Sequence, residues 1–482
     1  MSQSKDTSRS TDTDDQKLPR TAIMVAITAA TLGVIYGYDN GNIGAAGIYF
    51  QEDWGISDSK VEAVSSTLVI GELIGALIGG WIANRFGRKL TLIWVAIGYA
   101  VTCILQGFAV SADMLLVVRL FLGLTIGVSL VAVPVFIAES VAARTRGSAL
   151  VAYQVAAVVG GILGYLFAAS LANVDYSINW RIMLGIAAVP AIVILPFLLR
   201  LPETARWLIM KGRREEALQS LKMVDPYVDD EAELDDMEAS IAEESGGAMG
   251  EMLRRPYLRA FIFVVGLGFL TQITGINAIV VYSPRIFKAM SVDGTVEIFL
   301  LSAGIQVIAL IAVIISMRIV DRWGRRPILL TGIGIMIAAQ FLLIATFYTV
   351  GDGDDAVWTG LETATGFLGL ALFNIGFVFG FGALVWVYAS ETFPARLRAL
   401  GASALLTANL FANWLIVNFF ITALNELGGA LSFGFFAVMS VIAWLFVFKL
   451  APETKGRELE DIRHYWENGG KWDDTKATPK SK

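Results

Sequence analysis

Long apolar runs, separated by short polar loops, occupy most of the chain. Each run covers about 20 to 25 residues, the length that a helix rising ~1.5 Å per residue needs to cross a hydrocarbon core ~30 Å thick. None of them alternates as the strands of a membrane barrel do. We therefore predict an all-α membrane protein of about twelve helices, at 22–48, 61–83, 90–110, 114–138, 147–172, 181–200, 257–287, 297–320, 327–350, 362–390, 398–424 and 428–450.

A polar segment divides the predicted helices into two sets of six. It lies between Pro202 and Pro256, and Arg213–Leu218 within it has the pattern of a surface helix. Both ends of the chain are polar, and the first residues lack the apolar stretch of a signal peptide. The predicted parts are a disordered lead at 1–20, a six-helix bundle at 21–201, a linker with short helices at 202–256, a six-helix bundle at 257–451 and a polar tail at 452–482.

The composition agrees with a protein that crosses the membrane many times. Hydrophobic residues make up 56% of the 482 residues and charged residues 17%, which is more apolar surface than a soluble domain of this length could bury. The single cysteine, Cys103, lies in a predicted span, so an intramolecular disulfide is impossible and no metal cluster is expected. We expect no cofactor.

Charge distinguishes the two ends of the predicted helices. One set of loops is basic, as at Arg85–Lys89 and Arg322–Arg326, and we call this end the basic side. The alternate loops, such as those at Asp58 and Asp113, are acidic and define the acidic side. The positive-inside rule places the basic side and both termini in the cytoplasm, although the net charge is only −6.

The basic loop occurs twice, because Arg85–Arg88 and Arg322–Arg325 share the pattern Arg-x-Gly-Arg. Two further matches follow in the same order, about 250 residues apart, which indicates an internal duplication. They pair Glu139–Gly147 with Glu391–Arg398, and Pro202–Arg206 with Pro452–Arg457.

These motifs, with the segment Gln272–Asn277, resemble the sugar porter family of the major facilitator superfamily, and most of all its bacterial proton-coupled symporters. The resemblance extends from about Thr21 to Glu460. It implies two six-helix bundles, a substrate site between them near the midplane, and alternating access by rocking of one bundle against the other.

Three ionisable side chains lie inside predicted spans, where a charge costs at least ~2.5 to 3.5 kcal/mol on insertion scales. They are Asp39, Glu72 and Arg119. The resemblance matches Asp39 and Arg119 to the carboxylate–arginine pair of proton-coupled sugar symporters. Glu72 has no counterpart in that pattern, so a coupling role and a local structural role stay open.

Amide side chains on the seventh span suit the hydroxyl groups of a sugar, since they both donate and accept hydrogen bonds. Gln272 and Asn277 lie five residues apart, and a helix broken at Gly275 could present both. The resemblance implies sugar contacts for these two residues. It implies the same for Gln154, Tyr282, Trp386, Asn413 and Trp414. The family pattern is not matched at Thr271, Val281 and Val417, so the resemblance does not identify the solute.

The charged motifs of the basic side could form ion pairs that hold this side shut. Such pairs are worth ~1 kcal/mol or less each when wet, so the network matters more than one bond. The alternative is that the cations only set the topology. The predicted gate consists of Arg85, Arg88, Glu139, Arg144, Glu203, Arg322, Arg325, Glu391, Arg396 and Glu453.

The sequence thus predicts a secondary transporter that imports a monosaccharide or polyol by proton symport. An uncoupled uniporter, or a carrier of another solute such as inositol or a small organic acid, stays open. Arg119 is the one cation predicted in mid-span and Asp39 neutralises it, which favours a neutral solute. No nucleotide-binding loop or catalytic triad appears, so we expect neither an enzyme nor ATP-driven transport. The expected partners are the solute, protons and membrane lipid, with no nucleic acid, for a monomer in the plasma (inner) membrane.

Overall fold

The computed structural model describes residues 20–141, 143–224, 230–244, 249–351, 358–457 and 459–472. Some side chains inside helices, among them those of Arg144 and Asp321, are outside this description. The predicted lead, apart from residue 20, and the last part of the predicted tail also lie outside the described residues. The described part is helical and contains no strand, so the predicted all-α class is confirmed.

Seven helices form the N-half of the protein, defined here as Arg20–Arg200. The sixth predicted span consists of two helices, since the regular helix is interrupted at Ile186 and Ala187. The N-half helices are α1 (Arg20–Trp54), α2 (Asp58–Phe86), α3 (Arg88–Gly107), α4 (Ala112–Ser140), α5 (Ala143–Ser170), α6 (Tyr176–Gly185) and α7 (Ala188–Arg200).

Short helices follow in the polar segment, as the sequence predicts. The side chain of Thr204 caps the first of them by accepting from the amide of Trp207. The other helices are amphipathic or polar, and the surface helix predicted at Arg213–Leu218 is present as the start of a longer helix. These helices are α8 (Ala205–Met210), α9 (Arg214–Val224), α10 (Asp230–Glu244) and α11 (Met249–Met252).

The C-half, defined here as Leu258–Leu450, has three points at which a regular α-helix is interrupted. Gly275 has φ 102° and ends the first of two helices in the seventh span, at the predicted break. Gly428, with φ 80°, divides a helix of 56 residues between the two last predicted spans. A π-helical turn at Val378–Gly382 interrupts the tenth. The helices are α12 (Leu258–Ile273), α13 (Ile276–Ala289), α14 (Thr295–Trp323), α15 (Arg325–Val350), α16 (Gly360–Phe377), α17 (Ala383–Glu391) and α18 (Ala395–Leu450), followed by α19 (Leu459–Glu467).

Ten segments of the described chain are long and apolar enough to cross a membrane. They leave out α1 and take α18 as one segment, so including α1 and dividing α18 at Gly428 gives the predicted twelve. The protein is therefore a multi-pass membrane protein.

Helices of the two halves pack in a pattern that brings the halves together along three seams. Within the N-half, α2 packs on α4 and α1 on α5, while in the C-half α12 and α15 pack on α18. Between the halves, α1 meets α13, α2 meets α18 and α5 meets α14. The first of these contacts requires glycine, because a Cβ on Gly44 would lie 1.7 Å from the carbonyl oxygen of Val281.

Candidate functional site

A buried ion pair joins two helices of the N-half. Arg119 of α4 donates to both carboxylate oxygens of Asp39 of α1, from Nη1 at 3.3 Å and from Nη2 at 3.2 Å. Asp39 is 7% exposed and Arg119 is 1% exposed. Two parallel charge-assisted bonds in a dry site fix both side chains, and each charge neutralises the other. The structure thus brings together the two residues that the sequence predicts as a pair.

The rest of the Arg119 guanidinium is held by partners that sequence reasoning missed. Its Nε donates to the carbonyl oxygen of Val64 at 3.1 Å, and Nη1 also donates to Oε1 of Gln106 at 3.2 Å. Gln106 is fully buried near the end of α3. A glutamine inside a predicted span is a signal that could have identified it, since an apolar span rarely contains an amide.

Glu72 lies on α2, close enough to the pair for both of its charges to act on it. Its side chain is 1% exposed. It makes no hydrogen bond to another side chain or backbone group in the part of the chain that the structure describes. Three ionisable groups, Asp39, Arg119 and Glu72, are therefore buried near one another in the N-half, and among the described residues two of them are paired.

Four amides form a second polar cluster, which we call the amide cluster and which consists of Gln272, Asn277, Asn409 and Asn413. Asn277 Nδ2 donates to Oε1 of Gln272 at 3.0 Å and to Oδ1 of Asn413 at 2.7 Å. Gln272 Nε2 donates to Oδ1 of Asn409 at 3.2 Å. The break at Gly275 allows the first contact, because five residues of continuous helix would separate the two side chains. The cluster is about 20 Å along α12 from the basic side, near mid-membrane.

Asn409 was not predicted as a member of the site, although its spacing from Asn413 could have identified it. It precedes Asn413 by four residues on α18, and residues four apart share one helix face. The pair therefore marks a polar stripe on an otherwise apolar helix.

The other predicted solute residues lie in different surroundings. Gln154 on α5 is exposed, and so is Trp386 on α17. Trp414 packs beside Phe411 and Phe419. Tyr282 is buried, and its hydroxyl donates to the carbonyl oxygen of Val417 at 2.7 Å. None of these contacts connects the four residues with the amide cluster.

Hydrogen bonds close the acidic side between the two halves, in a set that we call the acidic-side seam. The backbone amide of Thr422 donates to Oε1 of Glu62 at 2.9 Å, and the hydroxyl of Thr422 donates to the other oxygen. Ser66 donates to Oδ1 of Asn418 at 2.7 Å. The seam also contains contacts of Asn425 and Arg285 with Asp58, of Arg285 with Gln51, and of Tyr165 with Val280. Glu62 was not predicted, since its partner is on a distant helix.

Replacing Glu62 by alanine should open the acidic-side seam. Hydrogen bonds to a charged group are worth ~1.5 to 3 kcal/mol, so the loss of these two should shift the open-to-closed ratio by about tenfold or more. The measurement is maleimide labelling from the acidic side of Ser66→Cys, in a Cys103→Ala background. The exposed Glu52→Ala is the control, and equal labelling rates in both variants would contradict this role for Glu62.

On the basic side, the charged motifs of the N-half form ion pairs and hydrogen bonds with one another. Arg88 donates to both oxygens of Glu139, from Nε at 2.9 Å and Nη2 at 3.1 Å, and is 4% exposed. Thr204 Oγ1 also donates to Glu139, at 2.7 Å. Glu203 instead accepts from the backbone amides of Arg88 at 3.0 Å and Lys89 at 3.1 Å, which start α3. Glu203, predicted to take part in ion pairs with the basic side chains of this loop, thus contacts a helix N-terminus, where a carboxylate is favoured by the helix dipole.

The C-half repeats the second of these contacts. Glu453 accepts from the backbone amides of Arg325 at 3.0 Å and Arg326 at 3.1 Å, which start α15. Lys455 Nζ donates to the carbonyl oxygen of Arg322 at 2.6 Å. The duplicated motifs therefore form equivalent helix caps.

The described contacts of the remaining predicted gate residues do not connect the N-half with the C-half. The side chains of Arg85 and Arg322 are exposed. Arg396 pairs with Glu251 of α11. One carboxylate oxygen of Glu391 is buried without a hydrogen-bond partner among the described residues. The side chain of Arg144 is not among those that the structure describes.

Burial raises the pKa of Glu203, although the amides of Thr204, Lys89 and Arg88 that donate to it act in the opposite direction. Water is therefore partly excluded from the Glu203 carboxylate, which is the hydrogen-bond acceptor of these amides.

Replacing Glu203 by alanine should lower the stability of the folded protein by about 1 to 3 kcal/mol, because buried amides lose their acceptor. Thermal unfolding in detergent measures the change. The exposed Glu215→Ala on α9 is the control. Identical melting temperatures for the two variants would show that the cap does not stabilise the fold.

Comparison with known proteins gives consistent matches along the chain. A model of the family described as sugar (and other) transporter matches residues 25–466. Probable polyol transporter 6 of Arabidopsis thaliana is 31% identical over 474 residues, which cover 94% of this chain and 95% of that protein. The arabinose-proton symporter of Escherichia coli strain K12 is 30% identical over 445 residues, which cover 92% and 93%.

Among solved structures, the inward-open conformation of the xylose transporter XylE from E. coli superimposes with a TM-score of 0.79. The two chains are 23% identical, and the match covers 92% of this chain and 100% of that chain. This likeness shows a shared fold, so the predicted two-bundle architecture is confirmed.

Proposed function

Because the chain belongs to the sugar (and other) transporter family, we propose that it moves a neutral monosaccharide or polyol across the membrane together with a proton. The observation that carries this proposal is the buried pair of Asp39 and Arg119, an acid and a base held inside the membrane by two hydrogen bonds. A carboxylate in such a pair is ionised, whereas the same carboxylate without its arginine is costly unless it is protonated. The pair can therefore take up a proton only when it opens.

The amide cluster is proposed to bind the solute. Its four side chains offer donors and acceptors without net charge, which suits a polyhydroxylated molecule and disfavours an ion. In the structure the amides bond to one another. A bound solute would replace these bonds with its own hydroxyls, so few buried polar groups would be left without a partner in either state. Names of relatives agree with this class: one is a probable polyol transporter and another an arabinose-proton symporter.

Coupling follows from the position of the two sites in different halves. The pair belongs to α1 and α4 of the N-half, while the amide cluster belongs to the C-half. The helix α1 packs on α13, and α18 packs on α2, so rocking of the halves moves both sites together. With the acidic-side seam closed, as here, the solute site communicates with the basic side. Opening of the seam would expose it to the other side.

The basic side is proposed to face the cytoplasm, with both termini there, in the plasma membrane, for a chain that works as a monomer. The two basic loops and the acidic loops between the other helix ends support this orientation. Protons and solute would then enter together from the acidic side. The cytoplasmic gate would form between the two sets of basic motifs when the acidic side opens.

Counterflow in proteoliposomes identifies the solute. Vesicles loaded with an unlabelled pentose, hexose, hexitol or inositol are tested for uptake of the same labelled compound. The proposal expects exchange of at least one sugar or polyol and none of a labelled small organic acid. Exchange of the acid alone would overturn the proposed solute class.

A further inference from the structure

The three ionisable groups buried together around the ion pair, Asp39, Arg119 and Glu72, leave one charge to be accounted for. Asp39 and Arg119 neutralise each other. Glu72 has no cation of its own, and its side chain is as buried as that of Arg119, at 1%. An isolated carboxylate without hydrogen bonds is strongly disfavoured in such a place, whereas the neutral acid is tolerated. In this conformation, two carboxylates therefore share one arginine and one proton.

The position of Glu72 along α2 places it between the ion pair and the basic side. Arg119 is bonded to the carbonyl of Val64, and Glu72 follows Val64 by eight residues, about 12 Å along the helix toward the basic side. Side chains lean toward the N-terminus of their helix, so the carboxyl group of Glu72 points back toward the pair.

Among the described residues, the electrostatic neighbours of Glu72 include hydroxyl groups but no cation besides Arg119. They come from α1, α3, α4 and α5, all around α2. Asp39 and Arg119 act on Glu72, and Glu72 acts on Tyr36, Tyr99 and Tyr153. Neutral tyrosines can relay or accept a hydrogen bond, but they cannot balance a carboxylate charge.

We propose that Glu72 is a second proton-binding group, in series with Asp39, which receives the transported proton and releases it toward the basic side. The O–H bond of protonated Asp39 breaks as Asp39 pairs with Arg119, and an O–H bond forms on Glu72. This second bond then breaks to give the proton to water on the basic side. The structure corresponds to the state between these two transfers. The inference rests on the proposed proton coupling.

This order of events has a physical reason. When Asp39 binds Arg119 it must be ionised, and it can then hold no transported proton. Glu72 provides the nearby acceptor that keeps the proton from returning to the acidic side, which the seam closes at this stage. The total charge of Asp39, Arg119 and Glu72 stays constant through the transfer from Asp39 to Glu72, and it changes only when Glu72 releases the proton to water on the basic side.

Two variants in proteoliposomes test the proposal. In Glu72→Gln, solute counterflow should stay within about twofold of the parent, while proton-driven uptake should fall about 100-fold or more, as is typical of a lost proton-transfer group. Glu72→Asp keeps the carboxyl group and should restore most of the uptake. The parent rate should fall as the pH on the basic side is lowered, and Glu72→Gln should lose that dependence.

Infrared spectroscopy of the parent provides a readout that does not depend on transport. A protonated-carboxyl band should be present at neutral pH, absent from Glu72→Gln and retained in Asp39→Asn. Parent-like proton-driven uptake and pH dependence in Glu72→Gln, or an unchanged carboxyl band, would overturn the role of Glu72 and leave the proposed symport intact. A parent protein that exchanges solute but never accumulates it with a pH gradient would instead overturn the symport itself.

Discussion

Asp39→Asn should abolish accumulation of the solute against its gradient, while counterflow exchange continues. Asparagine is nearly the same size and can still accept from Arg119, so the helices α1 and α4 should keep their contact. Asparagine cannot bind and release a proton in this way, so a pH gradient cannot drive uptake of the solute. The steady-state accumulation ratio under an imposed pH gradient should therefore drop to about one, since an uncoupled carrier only equilibrates its solute.

Asp53→Asn is the matched control for this substitution. Asp53 also forms an ion pair with an arginine, Arg181, at 3.6 Å and accepts from the indole of Trp180, but it lies at the end of α1 near the acidic side. It should leave accumulation unchanged. Accumulation by Asp39→Asn equal to that of the parent would remove Asp39 from the proton path.

Asn277→Ala should raise the solute concentration needed for half-maximal transport by about tenfold or more. Asn277 lies between Gln272 and Asn413 in the amide cluster. Its loss removes the hydrogen bonds that its amide is proposed to make to the solute, which are worth ~0.5 to 1.5 kcal/mol each. A change of ~1.4 kcal/mol corresponds to a factor of ten in affinity. Initial rates of uptake across a range of solute concentrations measure it.

Asn42→Ala controls for the loss of a buried amide as such. Asn42 is 1% exposed, and its amide donates to the carbonyl oxygen of Met183 within the N-half at 2.6 Å. It should lower stability with little change in the half-maximal concentration. If the two variants have the same half-maximal concentration as the parent, the amide cluster does not bind the solute.

Much of the fold follows from the sequence because each membrane span is identified by its own apolar residues and by the polar loops beside it. Apolar runs and basic loops identify the helices and their direction without any knowledge of tertiary contacts. The breaks at Gly275 and Gly428 are also local, since each glycine has a positive φ that other residues rarely adopt. The division of the sixth span into α6 and α7 carries no comparable signal.

Part of the candidate site follows from the sequence for a similar reason. A charge in an apolar span is rare enough to point to Asp39, Glu72 and Arg119 individually. Which charges meet is a tertiary fact: the pairing of Asp39 with Arg119 came from the family resemblance, and the unpaired state of Glu72 appears only in the structure.

Contacts between distant segments could not be predicted from the chain alone. Glu62 and Thr422 are 360 residues apart, and they meet because α2 packs on α18 across the two halves. The sequence predicts Glu203 in ion pairs with basic side chains of the neighbouring loop. The tight turn at Gly87 instead directs the amides of Arg88 and Lys89 at this carboxylate, so backbone geometry and not charge alone selects its partner.

Proton movement driven by the solute shows whether solute and proton cross together. Parent proteoliposomes with a pH dye inside and no pH gradient receive the solute identified by counterflow on the acidic side. We expect protons to enter with the solute and acidify the interior, and Asp39→Asn vesicles to take up the solute without acidification. Solute uptake by the parent with no change of internal pH would contradict the proposed symport.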